Sequence, residues 1–131
     1  MDAPVVLKVE HLNAWKLVRD VSFELRKGEI LGFAGLVGAG RTETARALFG
    51  ADPRESGDLY INGRRADIRS PRDAVEAGIC YLSEDRKRYG VVLQKSVTKN
   101  TTLAALRKFF KGAFLDKPRE AETARKYAAM L

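Results

Sequence analysis

Histidine and cysteine each occur once in this chain of 131 residues, and proline only four times. The single cysteine, Cys80, makes an internal disulfide impossible and fits a reducing compartment. It lies in the apolar run 77–82, where a buried, inert thiol is expected. The single histidine, His11, has no Ser, Cys or acidic partner at a spacing that makes a catalytic triad, so it reads as structural. Nor is there a Cys/His cluster with zinc-like spacing. Long hydrophobic runs are missing too: the longest, 30–39, is interrupted by glycines and too short to span a bilayer. The N-terminus has no basic flank followed by an apolar core, so no signal peptide is expected. There is no internal repeat, low-complexity tract or Gly/Ser linker. What remains is 45% hydrophobic and 31% charged, enough for one domain with a real core and any membrane association made through a partner.

Charge is unevenly placed. Residues 1–60 carry 8 Lys/Arg and 9 Asp/Glu, whereas residues 61–131 carry 16 and 8, so the net +7 comes from the second half. A basic half can serve an acidic partner, nucleic acid or simply a solvated helical surface. The basic residues are not interleaved with aromatics as a stacking platform for single strands requires, so no nucleic-acid partner is expected.

Alternating apolar and polar residues predict strands over 5–11 and Val18–Arg26. Lys27-Gly28 marks a turn, and 29–34 then reads as a buried central strand covered on both faces. A glycine-rich loop, 35–40, leads into a helix over 41–49 with Ala45, Leu48 and Phe49 at helical spacing and Gly50 as its stop. Asn62-Gly63 predicts a tight hairpin between 58–61 and 64–68. Ser70, Pro71 and Asp73 predict a capped helix start, and Gly78 its end. A short strand over 79–82 runs into the charged loop 83–90. Beyond it the chain turns helical, with Leu103, Leu106 and Phe110 on one face. After Pro118, Ala121, Ala124, Ala128 and Leu131 form an apolar stripe without an obvious partner, so the chain is expected to be cut from something longer.

The order strand, glycine loop, helix surrounds one chemical motif. Gly35, Leu36, Val37, Gly38, Ala39, Gly40, Arg41 and Thr42 fit the P-loop spacing: two glycines five apart, then a basic residue and a hydroxyl. Glycines let the backbone curl so that successive N–H groups point at phosphate oxygens, and the next helix adds its positive end. Thr42 would place its hydroxyl on Mg²⁺. A loop used only for packing is the competing reading. Arg41 stands where lysine is usual, and a planar fork does not replace a compact ammonium. Nucleotide binding is expected to survive this change. Hydrolysis is expected to suffer, since losing one placed charge typically costs on the order of 10²–10³ in rate.

Lys27-Gly28-Glu29-Ile30 ahead of the P-loop and its Glu43, then Ala47-Leu48-Phe49-Gly50 and Ser56-Gly57, strongly resemble an ATP-binding cassette (ABC) domain. Ser70-Pro71-Arg72-Asp73-Ala74, Ala77-Gly78-Ile79 and Ser83-Glu84-Asp85-Arg86-Lys87 resemble the second cassette of the fused subunits that drive ribose, galactose, xylose or arabinose uptake. The resemblance runs to about Leu106. It implies an α/β P-loop NTPase: a partial core over 1–95 with an antiparallel β-subdomain, and the truncated start of a helical subdomain over 96–131. It implies ATP and Mg²⁺ as ligands, with nucleotide held by residues 35–43. Trp15 is the candidate aromatic to stack on adenine, or else a half-buried packing residue. Glu84 stands at the position of the glutamine loop, either as a Mg²⁺ ligand or as a surface ion-pair partner of Arg86 or Lys87. The implied partners are the other cassette of the same subunit, membrane-spanning permease subunits and, indirectly, a periplasmic sugar-binding protein, at the cytoplasmic face of a bacterial inner membrane. The family's Leu-Ser-Gly-Gly signature, catalytic glutamate and switch histidine do not occur here, so the fragment alone is expected to be inactive. Two rivals stand beside this reading: a small P-loop phosphotransferase, and an assembly module with a vestigial P-loop.

Overall fold

In a computed structural model describing residues 3–131, the chain forms two compact units, Met1–Leu82 and Ser83–Leu131, taken here in turn. The alternation seen in the sequence builds the first. Strands β1 (Val5–Ala14) and β2 (Val18–Arg26) pair antiparallel from Val5 opposite Arg26 to Ala14 opposite Val18. β1 thus runs three residues past its expected end at 11. The other edge of β1 pairs with β3 (Ser56–Ile61), and β3 turns back into the two-residue β4 (Arg64–Arg65), giving the order β2-β1-β3-β4. Asn62 and Gly63 both take positive φ, 50° and 75°, as the predicted tight turn demands.

The register slips near His11 and Leu12, where β1 bulges against both neighbours. His11 has φ 52°, and the Asn13 side-chain amide donates to the His11 carbonyl and to the Ser56 hydroxyl. Gly57 faces this bulge so closely that a Cβ on it would lie 2.6 Å from the Leu12 Cα. The slip lets Val9, Leu12 and Ala14 all turn inward, where they pack with Val18, Leu59, Ile68, Ala47 and Ala74.

Two short helices cover this core. Helix α1 (Arg41–Leu48) contributes Ala47, and Gly50 just beyond it takes φ 69° as the expected stop. Its last turn is anchored by Arg46, whose guanidinium donates twice to the Asp52 carboxylate, at 2.7 Å and 2.7 Å. That fork holds the Asp52 carboxyl below its ordinary pKa. Helix α2 (Pro71–Glu76) contributes Ala74 and starts as the sequence predicts, with the Ser70 hydroxyl accepting from the Asp73 amide.

Two expected strands are not strands. Residues 29–34 and 79–82 are irregular, with Ile30 98% and Leu82 91% exposed. A central strand needs a hydrogen-bonding neighbour on each edge, and the four-stranded sheet offers none to these segments among the described residues. Phe33 keeps one foothold, edge-to-face on Phe23 at 5.1 Å. Cys80 is therefore exposed, not buried, because the strand that would have carried it inward is unpaired.

The second unit opens with one wide turn (Arg86–Gly90), followed by α3 (Val97–Leu103), a 3-10 turn (Leu106–Phe109), a hairpin of β5 (Phe110–Lys111) and β6 (Phe114–Leu115), and α4 (Lys117–Ala128). The expected apolar face Leu103, Leu106, Phe110 is not formed: helix stops at 103, and Leu103 and Phe110 are exposed. Gly112 at φ 61° instead folds 110–115 into a hairpin, and Phe109 is the aromatic that goes inside. From the last predicted stripe, Ala124 is buried beside Glu120, whose carboxylate accepts from the Thr102 hydroxyl at 2.7 Å. Ala128 and Leu131 are exposed.

Candidate functional site

The glycine loop 35–40 owes its path to three glycines with different duties. At Gly35 a Cβ would lie 2.9 Å from the Ala39 Cβ, so the two sides of the loop approach more closely than a side chain allows. The Ala39 amide closes a turn onto the Leu36 carbonyl at 3.1 Å. Gly38 has φ 82° with open space where its side chain would be, so nothing projects from the backbone there. Gly40, at φ 84°, is the N-cap of α1. A Cβ at Gly40 would meet the Leu17 carbonyl oxygen at 2.7 Å, so the end of the loop is seated directly on the turn between β1 and β2.

Helix α1 then leaves with no side chain capping its start. The Thr44 amide and hydroxyl both donate to the Gly40 carbonyl, each at 2.8 Å, which pins the loop to the helix. Of the residues expected to meet nucleotide, Gly35, Leu36, Val37, Gly38, Ala39 and Arg41 are exposed, Thr42 and Glu43 are half-buried, and Gly40 is buried. Leu36 and Val37 project into solvent, 85% and 100% exposed. Such a loop, bare at Gly38 and followed directly by a helix start, offers main chain rather than side chains to a ligand, while acidic Glu43 in the first turn works against an anion there.

Trp15 lies in the three-residue turn 15–17, at φ 50° and 61% exposed, so it is not a half-buried packing residue. The contact of Gly40 with Leu17 puts that turn beside the loop. Sequence reasoning missed Leu17 and Thr44. Neither carries a signal of its own, because Leu17 acts through its carbonyl and Thr44 through a bond back to the cap.

Glu84 belongs to the second unit and is exposed there. Its neighbours form a small hydrogen-bonded turn: the Ser83 hydroxyl donates to the Asp85 carbonyl, and the Asp85 carboxylate accepts from the Arg88 amide. Among the described residues, no group of three or more His, Cys, Asp or Glu is placed to hold a metal ion, and no helix is long and apolar enough to cross a membrane. His11 pairs with Asp20 at 2.6 Å on the outer side of the β1–β2 hairpin. A separate concavity of about 670 Å³ is lined by residues of 52–59 and 65–69, none of them in the glycine loop.

Residues 18–130 match the family model described as ABC transporter. The chain is similar to the putative ribose/galactose/methyl galactoside import ATP-binding protein 1 of Burkholderia lata, 51% identical over 128 residues, 97% of this chain and 25% of that protein. It is similar to the putative ribose/galactose/methyl galactoside import ATP-binding protein of Albidiferax ferrireducens, 54% identical over 115 residues, 87% of this chain and 23% of that protein. It is also similar to the ribose import ATP-binding protein RbsA 3 of Rubrobacter xylanophilus, 59% identical over 102 residues, 78% of this chain and 21% of that protein. The chain thus spans about a quarter of the length of the curated relatives it matches.

Proposed function

Because this chain belongs to the ABC transporter family, we propose that it is the ATP-binding segment of a subunit that powers import of a monosaccharide across a bacterial inner membrane. The observation that carries this reading is the loop 35–40, with left-handed glycines at 38 and 40 and a helix leaving at Arg41. Its main-chain amides would hold the phosphates, and the open space at Gly38 fits a ligand that approaches backbone rather than side chain. Thr42 would supply a hydroxyl to Mg²⁺, an ion that when bound neutralises phosphate charge. Trp15, exposed on the turn that supports Gly40, offers a ring to the base. In the longer protein the partners would be a second cassette and permease subunits at the cytoplasmic membrane face, with a periplasmic sugar-binding protein acting indirectly.

Arg41 makes this site one that binds ATP and regulates closure more than it hydrolyses. A full-length subunit disabled only at its other site should therefore turn over ATP slowly, and an undiminished rate would overturn that part of the reading.

The direct test is a calorimetric titration of the folded chain with ATP, with and without Mg²⁺, beside GTP. Saturable heat that requires Mg²⁺ is expected. Gly40→Ala, which forces the loop off the Leu17 carbonyl, should abolish it while circular dichroism stays native. No heat at any accessible concentration, with folding confirmed, would favour the vestigial assembly module.

A further inference from the structure

The hairpin β5–β6 takes no part in the nucleotide reading, yet it displays two exposed aromatic rings. Phe114 is 81% exposed and Phe110 46% exposed. Arg107, Lys108, Lys111 and Lys117 flank them in sequence, all exposed. Basic and aromatic residues lie close together in the run 107–117, though not in the regular series that a stacking platform for single strands requires. Lys111 pairs with Asp116 at 2.9 Å, and the Lys111 side chain still remains 77% exposed. The unit as a whole holds twelve Lys/Arg against five Asp/Glu and so carries the entire +7, while the first unit holds twelve against twelve.

We propose that this hairpin is an interfacial anchor for an anionic lipid surface. Pairing sets the geometry: Lys111 lies opposite Phe114, and Phe110 opposite Leu115, around the small tip Gly112-Ala113. Directly opposed residues share a face, so the two rings stand on opposite faces of a narrow ribbon. That arrangement offers no continuous platform on which successive bases of a nucleic acid could stack. It suits a wedge instead, whose tip and rings enter the acyl boundary while the lysine stems lie along it with their ammonium groups at the headgroups. Charge complementarity selects the surface, since cytoplasmic leaflets carry negative potential and each nearby Lys or Arg strengthens attachment by about five-fold.

Flotation of the folded chain with lipid vesicles tests this, and no nucleotide is involved, so failure here leaves the ATP reading standing. Vesicles containing about 30% anionic phosphatidylglycerol should carry the chain, vesicles of phosphatidylcholine alone should not, and raising salt from about 0.05 M to about 0.5 M should weaken the binding. Phe114→Ser should lower binding about ten-fold or more, and Lys108→Glu with Lys111→Glu should do likewise. Met130→Ser removes an exposed apolar side chain outside the hairpin and should leave binding unchanged. Because Phe114 lies outside the packed core, its replacement leaves the fold intact, checked by an unaltered melting curve. Absence of binding to anionic vesicles, equal binding to neutral ones, or indifference to Phe114→Ser would overturn the proposal. So would single-stranded oligonucleotide binding that depends on Phe114 while vesicle binding does not.

Discussion

Gly40 shows how much a single position can owe to a residue far away in sequence. The P-loop spacing marks it as glycine for the sake of a phosphate, but its φ of 84° and the Leu17 carbonyl 2.7 Å from its absent Cβ make it glycine even in an empty loop. The first reason was legible in the sequence. The second was not, because nothing in Ala14-Trp15-Lys16-Leu17 says that the turn will be pressed against a loop more than twenty residues on. His11 teaches the converse. Read as structural from its isolation, it pairs with Asp20, and both residues take positive φ across the hairpin. The hydrogen bond to Asp20, and then its charge, raise the His11 pKa. A raised pKa means stability that is fully present below the ordinary histidine value of about 6.5 and lost as pH rises through the folded value. Wild type should therefore exceed Asp20→Asn in Tm by more at about pH 5.5 than at about pH 8.5, with asparagine chosen because it tolerates the same backbone. The difference will be small, since both side chains stand in water. Equal differences at the two pH values would count against the pairing.

Elements that carry their own stop and start signals were legible, and elements that depend on remote partners were not. Asn62-Gly63 turned where expected. Helix α2 began at Ser70 and Pro71 and ended by Gly78, whose φ is 89°. Its start is a reciprocal cap: the Ser70 hydroxyl accepts from the Asp73 amide, and the Asp73 carboxylate accepts from the Ser70 hydroxyl and the Arg69 amide. Those bonds hold the Asp73 carboxyl below its ordinary pKa, the Ser70 hydroxyl foremost. Replacing Ser70 with Ala should cost about 1 kcal/mol, read as a lower urea midpoint with an unchanged slope. Residues 29–34 and 79–82 have the composition of strands and remain irregular, because composition specifies a willingness to pair and not the presence of a neighbour. In the second unit a hairpin displaced the expected helix. Gly112 carries the sign of that turn, whereas the helical spacing of Leu103, Leu106 and Phe110 points the other way.

Taken whole, the molecule divides its properties between its two units: one electrically neutral and carrying the glycine loop, the other bearing all the net charge and a hairpin edged with phenylalanine. The family was legible in the sequence because its motifs are local, each a few residues whose order can be checked one against the next. The division of charge was visible in the sequence to within one unit, since the stretch between a boundary at 60 and the one at 82 holds four basic and three acidic residues. The open stretch 29–34 has a consequence in isotope chemistry. Without a ladder to protect them, its amides beyond Glu29, which donates to the Arg26 carbonyl, should take up deuterium from heavy water within seconds, while those of β1, paired on both edges, should hold their protons far longer. Any partner strand that later claims this stretch will slow its labelling, so the segment serves as a built-in clock whose readout, by mass spectrometry of one peptide, dates the moment the sheet is extended.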